Sequence, residues 1–197
     1  PLWLRYPAIS PDGRTIAFTY RGNLYKVPST GGTAGPLTMD GAGNCMPVWS
    51  RNGGAIAFAG KSAGNFDVYV VPSEGGEAKR LTWHSADELP YDFTKNGVVF
   101  GAVRLDDPAN RQFPSDALQE LYIVPATGGR VQQLLTTPAE DAKLSEDGRF
   151  IVYHDRKGGE NIWRKHQTSS IARDVWLYDT QTKKHRKVSY FDGEDRC

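Results

Sequence analysis

Cysteine is nearly missing: Cys45 and Cys197 are the two in 197 residues. They are too few for a disulfide framework or a four-ligand zinc site, and neither lies in a C-x-x-C pair, so the redox compartment stays open. Long hydrophobic runs are missing too. Nothing approaches the roughly 18 to 20 apolar residues of a membrane-spanning helix, and no such span is expected. No charge of one sign prevails, since 24 Lys and Arg face 23 Asp and Glu for a net charge of +1. That balance leaves no electrostatic footprint for nucleic acid or an anionic membrane. The chain opens Pro1-Leu2-Trp3 without the charged and apolar regions of a signal peptide, so a leader is expected to lie outside these residues. With 39% hydrophobic and 24% charged residues, the composition is that of a chain that folds.

Turn residues are abundant, with 21 Gly and 12 Pro, and short β-prone runs recur between them. Four turns share a small polar residue, a variable residue, Asp or Asn, then Gly: Ser10 to Gly13, Ser50 to Gly53, Thr94 to Gly97 and Ser145 to Gly148. Each precedes an apolar run: Ile16-Ala17-Phe18, Ile56-Ala57-Phe58, Val98-Val99-Phe100 and Phe150-Ile151-Val152-Tyr153. A second signature follows as Leu24-Tyr25-Lys26-Val27-Pro28, Val68-Tyr69-Val70-Val71-Pro72, Leu121-Tyr122-Ile123-Val124-Pro125 and, degenerately, Val175-Trp176-Leu177-Tyr178-Asp179. Three copies then carry Gly-Gly, at 31–32, 75–76 and 128–129, where the fourth has Gln181-Thr182. The units close on Leu37-Thr38, Leu81-Thr82, Leu135-Thr136 and Val188-Ser189.

Four strands per unit with anchors 40, 44 and 51 residues apart is the spacing of propeller blades. The expected fold is all-β: a β-propeller of four-stranded antiparallel blades over about 2–38, 46–82, 89–136 and 141–189. Residues 190–197 are expected to connect to a further blade, making the chain an open partial propeller. The innermost strands are placed at Tyr6 to Ser10, Pro47 to Ser50, Pro90 to Thr94 and Asp141 to Ser145. Recurring Tyr25, Tyr69, Tyr122 and Trp176 are read as packing between blades rather than as a stacking platform.

These repeats resemble the PD40 type of propeller repeat found in TolB, in the tricorn protease and in some prolyl-oligopeptidase relatives. The stretches from Leu2 to Gly13, Trp163-Arg164-Lys165-His166, Ser169-Ser170-Ile171 and Arg173-Asp174-Val175-Trp176 are similar to the N-terminal propeller of bacterial tricorn-type peptidases of the S41 serine group. The resemblance implies a non-catalytic segment that governs substrate access or peptide channelling, partnered by other domains of a parent serine endopeptidase, in a periplasmic or otherwise extracytoplasmic place. A TolB-like interaction propeller and the propeller of a prolyl-oligopeptidase-type enzyme are the alternatives.

The residues carry no chemistry of their own. A serine-hydrolase elbow needs Gly-x-Ser-x-Gly on a strand-to-helix turn, which is not expected among these β-prone runs; no H-E-x-x-H occurs, and Ser169 and Ser170 near His166 lack oxyanion donors. The histidines His84, His154, His166 and His185 form no metal-ligand spacing. Asp106-Asp107 with Asn110 lacks the alternating ligands of a calcium loop. No catalytic residue, cofactor or metal is expected. Two insertions, Leu105 to Glu120 and Asp155 to Asp174, separate the second and third strands of their units, where long loops usually serve partners. The second offers Arg156, Lys157, Trp163, Arg164, Lys165, His166 and Arg173 as candidate contacts for a peptide or a partner domain. Self-association through uncovered blade faces is the remaining expectation.

Overall fold

A computed structural model describes residues 3–104, 118–156 and 172–190. Sixteen strands among them form four antiparallel sheets of four. The first blade comprises β1 (Arg5–Ile9), β2 (Thr15–Tyr20), β3 (Asn23–Pro28) and β4 (Gly35–Pro36); the second β5 (Cys45–Trp49), β6 (Ala55–Gly60), β7 (Asp67–Pro72) and β8 (Lys79–Arg80). The third has β9 (Glu88–Thr94), β10 (Gly97–Ala102), β11 (Glu120–Val124) and β12 (Gln132–Leu135), and the fourth β13 (Ala139–Leu144), β14 (Phe150–Asp155), β15 (Val175–Asp179) and β16 (Lys184–Lys187). In each sheet the strands lie side by side in chain order, through short hairpin turns in the first two blades and across the two long insertions in the third and fourth. The residues divide into two compact units, Pro1–Phe100 with Ile123–Gln132, and Gly101–Tyr122 with Gln133–Cys197.

The Asp-Gly turns are built by side chains. Ser10 donates its hydroxyl to Asp12 at 2.5 Å, Asp12 accepts the Arg14 amide at 3.1 Å, and Ser10 Oγ accepts the Thr15 amide at 2.9 Å. Gly13 takes φ 73°, a conformation that costs other residues. Ser50 with Asn52 and Ser145 with Asp147 repeat the arrangement.

The third turn differs from its expected likeness to the others. The second strand starts three residues after Thr94 but five after Ser10, Ser50 and Ser145. Gly97 therefore stands inside β10 rather than in the turn, with φ 142°, and a Cβ there would lie 2.2 Å from the Val124 carbonyl oxygen. Only glycine fits that approach.

The inner strands begin earlier than the sequence placed them, at Arg5, Cys45, Glu88 and Ala139. In three of them the register slips by a bulge, between Arg5 and Ala8, Cys45 and Val48, and Glu140 and Lys143. Tyr6, Met46 and Asp141 take φ of 50–52° at those bulges, where the ladder locally yields one residue.

The closing Leu-Thr motif also has a physical role. Thr38 Oγ1 accepts the Leu24 amide and Thr82 Oγ1 the Val68 amide, both at 2.9 Å, and Ser189 Oγ accepts the Val175 amide at 3.0 Å. Each hydroxyl satisfies the start of the third strand where the short fourth strand has ended.

In the first unit, Ala17, Leu24 and Leu37 of the first blade pack on Ile56, Phe58 and Val71 of the second, flanked by Trp49 and Tyr69. Phe58 and Tyr69 are direct cross-strand partners whose rings stack at 5.5 Å, and Phe18 and Tyr25 repeat the pair at 6.0 Å. The Trp49 indole donates to the Ala8 carbonyl at 3.0 Å. Tyr69 thus belongs to packing between blades, as its recurrence implied. Lysines add latches: Lys26 donates to the Ser73 carbonyl at 2.7 Å, and Lys79 to the Thr127 carbonyl at 2.6 Å.

Candidate functional site

The second insertion leaves β14 at Asp155 and enters β15 at Val175, and its foot is an ion-pair cluster within the second unit. Glu140 of β13 accepts Arg173 Nη1 on one oxygen at 2.7 Å and Arg156 Nη1 on the other. The Arg173 side chain is 10% exposed and that of Glu140 11%. Asp155 accepts the Asp174 amide at 2.7 Å and the Trp176 indole at 3.0 Å, while Asp174 pairs with Lys187 at 2.7 Å. Every carboxylate is met by a donor, as burial demands.

Beside this cluster, His154 is fully buried with Nδ1 3.5 Å from Asp141 Oδ2. The neighbouring His154 ring holds the Asp141 carboxyl below the usual carboxylate range, against the opposing effect of burial. Tyr153 shares a hydrogen bond of 2.8 Å with His185 Nδ1. Burial pushes the Tyr153 phenol upward and the His185 imidazole downward, which favours the neutral form of both near neutral pH. Neither ring is paired with a hydroxyl nucleophile of Ser or Thr in the described contacts.

Arg156 and Arg173, two of the residues read as partner contacts, are thus brought together on one buried carboxylate. Lys157, Trp163, Arg164, Lys165 and His166 lie outside the described residues, as do Ser169, Ser170, Asp106, Asp107 and Asn110. Sequence reasoning missed Glu140. It stands 33 residues from Arg173, so no local spacing signals the pair.

Among the described residues, the first unit carries an apolar and a polar cavity. An apolar groove of about 630 Å³ runs over the first blade along Leu4, Ile16, Phe18, Tyr20, Tyr25 and Val27. A polar one of about 450 Å³ lies at the Asp-Gly end between the first two blades, lined by Ser10, Asp12, Lys26, Arg51, Asn52 and Glu74. Its charges are already engaged: Lys26 with Glu74 at 3.0 Å, Arg51 with Asp92 at 2.8 Å, and Asp12 with the Ser10 hydroxyl. The Cys45 thiol is pushed up to about 11 by burial and by nearby Asp87, which keeps it protonated and unreactive near neutral pH. Among the described residues no group of three or more His, Cys, Asp or Glu could hold a metal ion, and no helix is long and apolar enough to cross a membrane.

The family model of the tricorn protease N-terminal beta propeller domain matches residues 1–197. The chain belongs to that family. Tricorn protease homolog 1 of Streptomyces coelicolor is 28% identical over 178 residues, 90% of this chain and 16% of that protein; the chain thus spans about a sixth of its relative's length. The crystal structure of the tricorn protease superposes with a TM-score of 0.76 at 18% identity, over 98% of this chain and 19% of the other. A putative TolB from Agrobacterium tumefaciens gives 0.70 at 20% identity, over 92% and 63%. These structures share the fold. For this tricorn-type propeller, the blades and their inter-blade packing are thereby placed in a known architecture.

Proposed function

We propose that the chain is a non-catalytic propeller module of a tricorn-like serine peptidase, serving substrate access and the assembly of the parent's domains. The family match over all 197 residues carries this reading. Its companion is chemical: the carboxylates at the foot of the second insertion, Glu140, Asp155 and Asp174, are all engaged by donors. A propeller with such an interior acts through its surface and loops. The foot of the second insertion is pinned by Arg156 and Arg173 on Glu140, which fixes where a partner-facing loop leaves the blade. An extracytoplasmic location and contact with peptides belong to the same reading.

The test is made in the peptidase that carries this propeller. Arg164→Glu together with Lys165→Glu is expected to leave stability within about 0.5 kcal/mol per change, while lowering peptide-cleavage kcat/KM or dissolving the native assembly. Unchanged kinetics and unchanged assembly would reject the contact role of the loop. A TolB-like interaction propeller is the second reading, favoured by the likeness in fold to the TolB structures. It predicts periplasmic fractionation and partner capture with no peptidase activity in the complete protein.

A further inference from the structure

The fourth blade departs from the first two at one ladder position. Phe18 of β2 and Phe58 of β6 face Tyr25 and Tyr69 on their third strands, whereas the residue at that place in β14, opposite Trp176, is Tyr153. A hydroxyl stands where the other two carry a bare ring. Tyr153 is 1% exposed, so the hydroxyl needs a partner inside the protein. It finds one two strands away, at His185 Nδ1 of β16, 2.8 Å distant. The outer strand that carries this histidine is four residues long, where β4 and β8 have two each.

The direction of the bond follows from what each group can offer. Among the described residues the Tyr153 hydroxyl has no second acceptor, so it donates to Nδ1, and the imidazole is neutral with its proton on Nε2. Part of the ring lies against Tyr178 of β15, with centroids 4.5 Å apart, and edge-on to Tyr153 at 6.0 Å. The rest of His185 is exposed, so it senses the bulk pH. These two phenols are the described titratable groups that β14 and β15 turn toward it. Its chain neighbours Lys184 and Arg186 pair with Asp179 and Leu177 and alternate to the other face of the sheet. Asp179 is held by Arg149, and Asp155 acts on the Tyr153 phenol. One hydrogen bond thus pins β16 to β14 across the width of β15.

We propose that protonation of His185 unfastens β16, which makes the outer strand of the fourth blade a pH-sensitive element. A protonated imidazole carries N–H on both nitrogens, so Nδ1 no longer accepts. The phenol can turn to accept from it, but its own proton is then stranded in a buried place. Partial burial of the ring lowers the His185 pKa, in the same sense: the folded chain favours the neutral form. A histidine depressed in the folded state contributes stability that is complete above the unfolded value of about 6.5 and is lost as pH falls below it.

Amide hydrogen exchange of the 197-residue chain, scaled for the intrinsic effect of pH, tests this. Protection over β16 is expected to be lost between about pH 7.5 and about pH 5.5, on either side of the ordinary histidine value, while that over β13 and β14 is kept. His185→Asn offers an acceptor that does not titrate and should hold protection at both pH values. Tyr153→Phe places in β14 the ring of the first two blades and should leave β16 equally open to exchange at both. A second readout is the NMR titration of the His185 ring. Its midpoint is expected to rise towards about 6.5 in Tyr153→Phe, because the donor that favours the neutral ring is gone. Circular dichroism checks that each variant is folded. Protection of β16 that does not change with pH in the wild type overturns the proposal. A loss that persists in His185→Asn or depends on pH in Tyr153→Phe overturns it in favour of another group such as His154, and a His185 midpoint untouched by Tyr153→Phe overturns it as well.

Discussion

Thr82 illustrates how a single hydroxyl holds a blade together. It is 1% exposed, and its Oγ1 accepts the Val68 amide at 2.9 Å. Thr82→Val keeps the shape but leaves a buried N–H without an acceptor, an effect of about 1–3 kcal/mol, measurable by urea denaturation. Thr82→Ser should recover most of the loss, since the acceptor returns. Glu140 is a stronger case, because two guanidiniums converge on it. Glu140→Ala leaves Arg156 and Arg173 without their common counter-charge. The expected destabilisation is about 3–5 kcal/mol, with hydrogen exchange rising first at Val175 and its neighbours in β15. Uniform exchange across the chain would instead assign Glu140 no particular hold on the insertion.

The turns behave as elements whose chemistry can be titrated. Asp12 and Asp147 are held below the usual carboxylate range first by the hydroxyls of Ser10 and Ser145, then by the amides of Arg14 and Arg149. A depressed folded pKa contributes stability that is complete above the unfolded value of about 3.9 and is lost as pH falls through the folded value. Denaturation midpoints should therefore drop as pH falls below about 4. Asp12→Asn with Asp147→Asn should flatten that acid limb while keeping the turns, because Asn52 already makes the same turn without a titrating group. An acid limb of unchanged steepness in the double variant would assign the acid sensitivity to other carboxylates such as Asp141 and Asp179, both also depressed.

These turns were legible in the sequence because their bonds close within five residues, as Ser10 Oγ to the Thr15 amide does. The alternation of each second strand was legible for the same reason. The third turn was not: Thr94 to Gly97 spells the motif, but pairing across the hairpin puts Gly97 against the Val124 carbonyl, a constraint carried by residues nearly thirty positions away. The inner-strand bulges were hidden because Tyr6, Met46 and Asp141 share a dihedral angle and no side-chain type. Of the candidate site, the cationic character of the insertion could be read. The pairing of Arg156 and Arg173 on Glu140 could not, since it depends on β13 and β15 flanking β14.

At the scale of the whole molecule, repetition decides both the fold and the reading of function. One packing solution, a small residue and two leucines on an Ile-Phe-Tyr-Val face, is seen between the first two blades, and the same positions recur around the chain. A family match over all 197 residues assigns that architecture to the tricorn N-terminal propeller domains, while the carboxylates Glu140, Asp155 and Asp174 are engaged by donors. The role proposed above has this chain serve proteolysis in a larger protein without performing it. Its most direct measurement is mass spectrometry of an oligopeptide mixture incubated with the purified chain across neutral pH. The account predicts that no new peptide termini appear; cleavage that persists through purification and disappears in Ser169→Ala or Ser170→Ala would contradict it.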